Sequence, residues 1–186
     1  MRAQNLPKSL LLYSRATSAT SLSSDMNALP LSSPDLAPAS VVLDTNVVLD
    51  CFLFCDPAAH LIACAVQSGQ WNWISTLEMQ QELTAVVVRP ELARWQSRQT
   101  ATLAAMLEYS ESVESPVCPA PAGLTCSDSD DQMFIDLAWS RRVACLFTRD
   151  KALLGLARRA RIDGVLVLRP SDWPRHAAAQ EKPQAA

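Results

Sequence analysis

Short apolar runs alternate along the chain with longer segments in which apolar residues recur at helical spacing. The first run covers residues 41–49 and is interrupted by Asp44, Thr45 and Asn46. Continuous Val and Leu runs are typical of parallel strands that helices cover on both faces. Ligands of such sheets bind beyond the carboxyl ends of the strands. We therefore expect a buried strand here, with Asp44 at the end where ligands bind.

The same pattern continues to about residue 173. Further strands are predicted over residues 71–74, 143–148 and 165–168, and helices over residues 58–67, 75–89, 94–112, 133–139 and 151–161. Pro90 ends the second of these helices, and Asp56 and Gly69 suit the two ends of the first. This alternation predicts an α/β protein, a three-layer α/β/α sandwich with a mostly parallel central sheet and right-handed crossovers.

The composition indicates one folded domain with a tail at each end. A chain of 186 residues, 49% of them hydrophobic, can build one sizeable core. Residues 1–40 are rich in Ser, Ala, Leu and Pro and show no sustained period, so we predict a disordered N-terminal tail. Residues 41–173 are the predicted domain. The polar, Ala-rich residues 174–186 are a predicted disordered C-terminal tail.

Charge and residue usage exclude several classes of function. The formal net charge of −3 provides no global basic field, so a phosphate-bearing partner needs local basic patches or metal ions. Two histidines and four glycines give little support to a serine hydrolase or a glycine-rich phosphate loop. No apolar stretch approaches the ~20 residues that span a bilayer. We expect a cytoplasmic protein with no membrane partner.

Four carboxylates occupy similar places in the predicted elements. Asp44 ends a strand, Glu82 lies inside a helix, Asp131 is in the first turn of a helix, and Asp150 directly follows a strand. Carboxylates that converge in one pocket repel each other and stay there only if cations neutralise them. Hard oxygen ligands select Mg²⁺ or Mn²⁺. Two such ions can activate water against a phosphodiester without a catalytic His or Cys.

Each of these acids also has a structural interpretation. Asp131 and Asp150 can be ordinary helix caps, and Glu82 can be a solvated helix residue that pairs with Arg89 or Lys151. Asp44 is harder to explain in this way, because an ionised group inside an apolar run costs several kcal/mol unless it is paired or bound to a metal.

Glu78 competes with Glu82 because the two lie on one helical face. Glu78 has the capping-box spacing from Ser75. We therefore expect Glu78 to serve the helix end and Glu82, one turn further on, to serve the site.

At these positions the sequence resembles the PIN-domain nuclease family. The motifs that carry the resemblance are Leu43-Asp44-Thr45-Asn46-Val47, Gln81-Glu82-Leu83, Asp128-Ser129-Asp130-Asp131 with Phe134 and Ala138, and Phe147-Thr148-Arg149-Asp150-Lys151. The likeness covers roughly residues 41–173, so these residues are identified as a PIN-like nuclease domain. Residues 89–92 resemble the subgroup labelled as toxin components.

The resemblance implies a metal-dependent endoribonuclease, commonly the toxin half of a VapC-like toxin–antitoxin module. Mg²⁺ or Mn²⁺ would be held by the acids that match the motifs: Asp44, Glu82, Asp131 and Asp150. Asn46 can orient Asp44 or a water through its amide, and Thr148 can hydrogen-bond a carboxylate or a metal water. The implied partners are an RNA substrate, a cognate antitoxin and a second copy of the chain in a homodimer.

Basic residues near the last motif are candidates for RNA binding. Arg149 departs from the family pattern by placing a cation beside Asp150, where it can bind an RNA phosphate or pair with a neighbouring acid. Lys151 is the second candidate. More basic residues follow nearby, and a solvated helix face is the alternative interpretation of this charge run: Arg141, Arg142, Arg158, Arg159 and Arg161.

Two other functions fit part of the pattern. A phosphatase of the haloacid dehalogenase type also has a nucleophilic Asp after its first strand, but it needs a second Asp two residues on, where this chain has Asn46. A catalytically inactive PIN fold that binds RNA or protein is the other alternative, and retention of all four acids argues against it.

Overall fold

The structure is a computed structural model that describes residues 38–180, with side chains described as far as Ala177. The disordered tail was predicted over residues 1–40; residues 1–37 lie outside the described residues, whereas Ala39 and Ser40 belong to the first strand. Residues 181–186 also lie outside the described residues.

Strands and helices alternate through the described part of the chain. The strands are β1 (Ala39–Leu43), β2 (Trp71–Ser75), β3 (Ser110–Ser112), β4 (Cys145–Phe147) and β5 (Leu166–Leu168). The helices are α1 (Thr45–Val48), α2 (His60–Gln67), α3 (Leu77–Val87), α4 (Gln96–Tyr109), α5 (Gln132–Ser140), α6 (Lys151–Gly155), α7 (Ala157–Ile162) and α8 (Trp173–Gln180). A π-helical segment, Leu49–Phe54, continues α1, and a 3-10 turn, Pro90–Trp95, joins α3 to α4.

The five strands form one parallel sheet in the order β3-β2-β1-β4-β5. The chain proceeds outward from β1 through β2 to β3, then returns to the other side of β1 with β4 and β5. The order therefore reverses between β1 and β4, whose last residues, Leu43 and Phe147, are paired. Such a switch point is where ligands of open α/β sheets bind.

Side chains alternate between two cores, one on each face of the sheet. Val41 and Leu43 belong to one core, whereas Val42, Leu146 and Val167 belong to the other. Residues of α1, α2 and α4 pack on the first face, and residues of α5, α6 and α7 on the second. This arrangement confirms the predicted three-layer α/β/α sandwich, and all described strand pairs are parallel.

The first apolar run does not remain a strand. β1 ends at Leu43, and the chain is helical from Thr45 to Phe54. Asp44 causes the change because it caps α1: its side chain accepts from the Asn46 N–H at 3.1 Å, and its backbone carbonyl accepts from the Val47 N–H at 2.8 Å. The run therefore contains a buried strand followed by a buried helix, which apolar composition does not distinguish.

The ends of the chain's other elements also differ from the predictions. The helix predicted to reach residue 112 ends at Tyr109, and residues 110–112 instead pair with β2 as an edge strand. Residues 174–180 were predicted to be disordered but are helical in α8. Trp173 anchors this helix by packing on two other rings. The centroid of its ring lies 4.7 Å from that of Trp71 and 5.8 Å from that of Phe147.

Within residues 38–180, no single helix has the length and apolar character needed to cross a bilayer. The segments Thr45–Phe54 and Pro57–Gln67 meet that test only as a pair, bent by 111°.

The packing of α6 predicts a contrast between two leucines. Leu153 is 0% exposed in the second core, whereas Leu107 is 73% exposed on α4. Leu153→Ala should lower the free energy of unfolding by about 2–5 kcal/mol because it leaves a cavity. Leu107→Ala, the matched control, should change it by no more than about 0.5 kcal/mol. Urea unfolding measures both, and equal effects would contradict a buried α6.

Candidate active site

The polar edge of the sheet lies at the switch point between β1 and β4. Asp44 directly follows β1, and Thr148, Arg149 and Asp150 directly follow β4. The Asp44 N–H donates to the Phe147 carbonyl at 3.0 Å, which extends the pairing of the two strands by one residue. The side chains predicted from two separate motifs are therefore adjacent at one end of the sheet.

Asp44 is held in place by hydrogen bonds to both carboxylate oxygens. It is 1% exposed; Oδ1 accepts from the Asn46 N–H at 3.1 Å, and Oδ2 accepts from the Thr148 hydroxyl at 2.6 Å. The Thr148 hydroxyl in turn accepts from the Asp150 N–H at 2.9 Å. Burial raises the pKa of Asp44, and the bonds from Thr148 and Asn46 oppose that rise.

Asn46 was expected to orient Asp44 or a water through its side-chain amide, and the role on a water stays a prediction. In the structure the contact comes from the backbone N–H of Asn46, and its side chain is exposed. The contact is an N-cap, so the position of Asn46 in the first turn of α1 explains it without the amide.

Glu82 lies in the middle of α3 and is half-buried. Its Oε2 is buried and has no hydrogen-bond partner within the described part of the chain. Burial raises the pKa of Glu82; the Thr45 hydroxyl lowers it, and the negative charge of Asp44 raises it further. A buried carboxylate oxygen without a partner is destabilising and uncommon, so this atom fits a place that a cation fills.

Asp131 precedes α5 but does not cap it, because its side chain makes no hydrogen bond to the helix end. Burial and the charges of other acids raise its pKa to about 7, and those acids include Asp44, Asp150 and Glu82. Asp131 therefore lies within electrostatic range of Asp44, Asp150 and Glu82. Asp128 also contributes to this shift.

Asp150 combines the two roles that the sequence left open. Its Oδ1 caps α6 by accepting from the N–H groups of Ala152 at 2.6 Å and Leu153 at 3.1 Å. Its Oδ2 accepts no hydrogen bond from any residue that the structure describes. The cap fixes the carboxylate and leaves one oxygen for the site.

Glu78 has a structural contact outside this cluster. Its Oε2 accepts from the Ser115 hydroxyl at 2.6 Å, and the side chain is exposed. The predicted capping box is wrong by one residue, because Thr76 caps α3 by accepting from the Met79 N–H. Ser75 instead ends β2, where its hydroxyl lies 3.1 Å from that of Ser110.

Arg149 is engaged with two acids. Its Nη1 forms two ion pairs, at 2.8 Å from Asp50 Oδ2 and at 3.3 Å from Asp56 Oδ2. Pairing with a neighbouring acid is thus the arrangement that the structure contains, and RNA binding by Arg149 stays a prediction. Lys151 is exposed and lines an open cleft with Ser127, Ser129 and Asp150.

Sequence reasoning missed Asp50. This acid is 5% exposed, and burial raises its pKa whereas Arg149 lowers it. The available signal was its place directly after the apolar residues 47–49, where a second buried carboxylate also needs a partner. No pattern in the sequence indicates that the partner is Arg149.

The donor set fits a divalent cation in chemistry and charge. Carboxylate oxygens are the ligands that hard cations prefer. A cation would satisfy Glu82 Oε2 and would offset the burial and the acidic charges that raise the pKa of Asp131. In residues 38–180, no three His, Cys, Asp or Glu side chains are grouped so that they could hold one ion as they stand. Binding an ion therefore requires the carboxylates to adjust.

A parallel α/β sheet with an acidic cluster at its switch point is an arrangement suited to hydrolysis. A family profile described as PIN domain matches residues 40–152, more than half of the chain. The chain therefore belongs to the PIN domain family. PIN domains are generally nucleases, which supports a hydrolase.

The other comparisons give solved structures but no curated relative. A search of curated proteins finds no match. The chain is similar to VapBC2 from Rickettsia felis, solved bound to a DNA fragment from their promoter, with 12% identity and a TM-score of 0.47. The alignment covers 70% of this chain and 98% of that one.

The position of Thr148 predicts a specific cost for removing its hydroxyl. Thr148→Val should lower the free energy of unfolding by about 1–3 kcal/mol, because Asp44 Oδ2 and the Asp150 N–H lose a buried partner. Thr102 is also 0% exposed, but its hydroxyl bonds only the Arg98 carbonyl within α4. Thr102→Val should therefore cost no more than about 1 kcal/mol. Urea unfolding tests the pair, and an unaffected Thr148→Val would disprove the linking role of this hydroxyl.

Proposed function

We propose that the protein is a divalent-cation-dependent endoribonuclease that hydrolyses RNA phosphodiester bonds. Mg²⁺ or Mn²⁺ would be held by Asp44, Glu82, Asp131 and Asp150. The observation that carries the proposal is the buried Oε2 of Glu82, which has no hydrogen-bond partner in the described part of the chain. The negative charge of Asp44, at the switch point, acts on Glu82. Their repulsion is the kind that a bound cation relieves.

The protein's own contribution is to fix the directions of two of these carboxylates. Thr148 and the Asn46 N–H hold Asp44, and the α6 cap holds Asp150 with one oxygen left over. Glu82 presents an oxygen that has no partner in the described structure. When bound, a divalent cation lowers the pKa of water and polarises the phosphodiester, so hydrolysis needs no His or Cys.

The motif resemblance, residues 89–92 included, supports a more specific proposal. The protein would be the toxin of a toxin–antitoxin system, acting in the cytoplasm with a cognate antitoxin as its regulatory partner. A homodimer belongs to the same proposal. RNA as the substrate rests on this resemblance and on the chemistry of the acids.

One observation favours a second candidate function, a PIN fold that binds RNA or protein without cutting. No three of the potential ligands between residues 38 and 180 are already grouped to hold an ion. RNA binding without cleavage in either metal would support this alternative.

Two glutamates on one face of α3, Glu78 and Glu82, allow a controlled test of RNA cleavage. Purified protein should cut a panel of single-stranded and structured RNAs in Mg²⁺ or Mn²⁺, and EDTA should stop it. Glu82→Gln should reduce the rate at least about 100-fold, because a ligand carboxylate is lost. Glu78→Gln, one helical turn away and bonded to Ser115, should keep the rate within about twofold. Gel analysis of timed digests measures each rate.

Asp44→Asn provides the second arm of this test. The amide keeps the shape of the side chain, so circular dichroism should report a folded protein while cleavage is lost. Cleavage that persists in EDTA, or in Asp44→Asn, would contradict the proposed mechanism.

A further inference from the structure

An open groove adjoins the acidic cluster on the side of α1 and α3. Its lining includes Asn46, Phe54, Val86, Arg89 and Leu92. Two of these residues connect it to the acids: the Asn46 N–H bonds the Asp44 carboxylate, and Val86 lies one helical turn after Glu82. Glu82 and Val86 share one face of α3, and Arg89 follows two residues after that helix ends. The groove thus extends directly from the proposed reaction centre.

Arg89 is the cation of this groove. It is exposed, and its guanidinium makes no hydrogen bond or ion pair with any residue between 38 and 180. Its positive charge lowers the pKa of Glu82, so the two side chains are close enough to interact. Arg149, by contrast, is held by Asp50 and Asp56. Arg89 is therefore available to an anionic ligand at the edge of the acidic cluster.

We infer that this groove holds a nucleotide adjacent to the scissile phosphate of a single-stranded RNA, with a backbone phosphate on Arg89 and the base against Phe54. This inference rests on the proposed function and deepens it. It names the form of the substrate and a residue that binds it.

The side chains of the groove suit the phosphate and the base of a nucleotide. The guanidinium fork matches phosphate oxygens in a bidentate manner. Phe54 provides an aromatic face, and its ring is fixed by packing on Trp95 at 4.6 Å. The Asn46 amide has both a donor and an acceptor for a base edge. A base can reach these groups only when it is unstacked, which is the state of single strands and loops.

Glu91 also lines the groove and carries the opposite charge. It repels a phosphodiester, so it favours placement of the backbone at the Arg89 end. A cationic peptide would be attracted by Glu91 and repelled by Arg89. Neutralising Arg89 or Glu91 should therefore change the affinity for RNA and the affinity for a cationic peptide in opposite directions.

The test measures RNA binding by the full chain carrying Asp44→Asn, which prevents cutting. Fluorescence anisotropy with a labelled single-stranded RNA gives the Kd at several salt concentrations. Adding Arg89→Gln should weaken binding about tenfold and lower the salt slope by about 0.7, the loss of one single-strand phosphate contact. Arg89→Lys should keep most of that slope. Glu91→Gln should tighten binding about twofold to fivefold.

Arg94→Gln is the matched control. Arg94 is exposed five residues further on, and its guanidinium lies 3.7 Å above the Trp95 ring, outside the lining of the groove. Its replacement should leave the Kd and the salt slope unchanged. In the cleaving protein, Arg89→Gln should raise KM with little change in kcat, because a contact away from the scissile bond stabilises substrate and transition state alike.

The outcomes separate this inference from the function on which it rests. If the Asp44→Asn parent binds RNA and the wild type cuts it, but Arg89→Gln changes neither Kd nor slope, the inference alone is overturned. Weaker RNA binding by Glu91→Gln would also overturn it. If the parent binds no RNA and the wild type cuts none, the proposed function fails and the inference fails with it.

Discussion

The hydrogen bond from Thr148 to Asp44 is the interaction on which the site depends. It joins residues 104 positions apart in the sequence, at 2.6 Å and without exposure to water. Because the Thr148 hydroxyl also accepts from the Asp150 N–H, it places the ends of β1 and β4 and the start of α6 in one network. Two of the four acids thus take their positions from the backbone of a parallel sheet rather than from a flexible loop.

The negative charges of the acids destabilise this arrangement. Burial and the charges of neighbouring acids raise the pKa of Asp44, Glu82 and Asp131, and that of Asp131 reaches about 7. Arg149 offsets little of the repulsion among the four acids, because its guanidinium forms ion pairs with Asp50 and Asp56. Folding therefore places a negative centre at the switch point and leaves Glu82 Oε2 without a hydrogen-bond partner among residues 38–180. Such an arrangement is retained at a cost in stability, which is typical of sites built for a ligand.

Much of this architecture could be predicted from the sequence because it follows from local patterns. Alternating apolar runs and helical spacing give the parallel sandwich, and polar residues at the ends of those runs identify Asp44 and Asp150. The turn into α1 could not be predicted, since an apolar run fits a buried strand and a buried helix equally well. The Asp50–Arg149 pair could not either, because it joins side chains 99 residues apart. Helix α8 depends on tertiary packing of Trp173, which its polar, Ala-rich composition does not reveal.

Asp131 and Asp150 show how far residue types alone can discriminate between roles. Both precede a helix and both fit the composition of a cap, yet Asp150 caps α6 and Asp131 makes no cap. The difference arises from the backbone, which is extended at Asp150 and helical at Asp131. Only the structure separates a carboxylate that serves a helix from one that is left for the cluster.

Calorimetric titration with Mn²⁺ tests most directly whether the four carboxylates form one cation site. The wild-type chain should bind Mn²⁺, and Asp131→Asn should weaken binding about tenfold or more, since a ligand charge is removed. Glu78→Gln should bind like the wild type, because its carboxylate contacts Ser115 outside the cluster. Absence of Mn²⁺ binding at millimolar concentration, or equal binding by Asp131→Asn and the wild type, would contradict the claim.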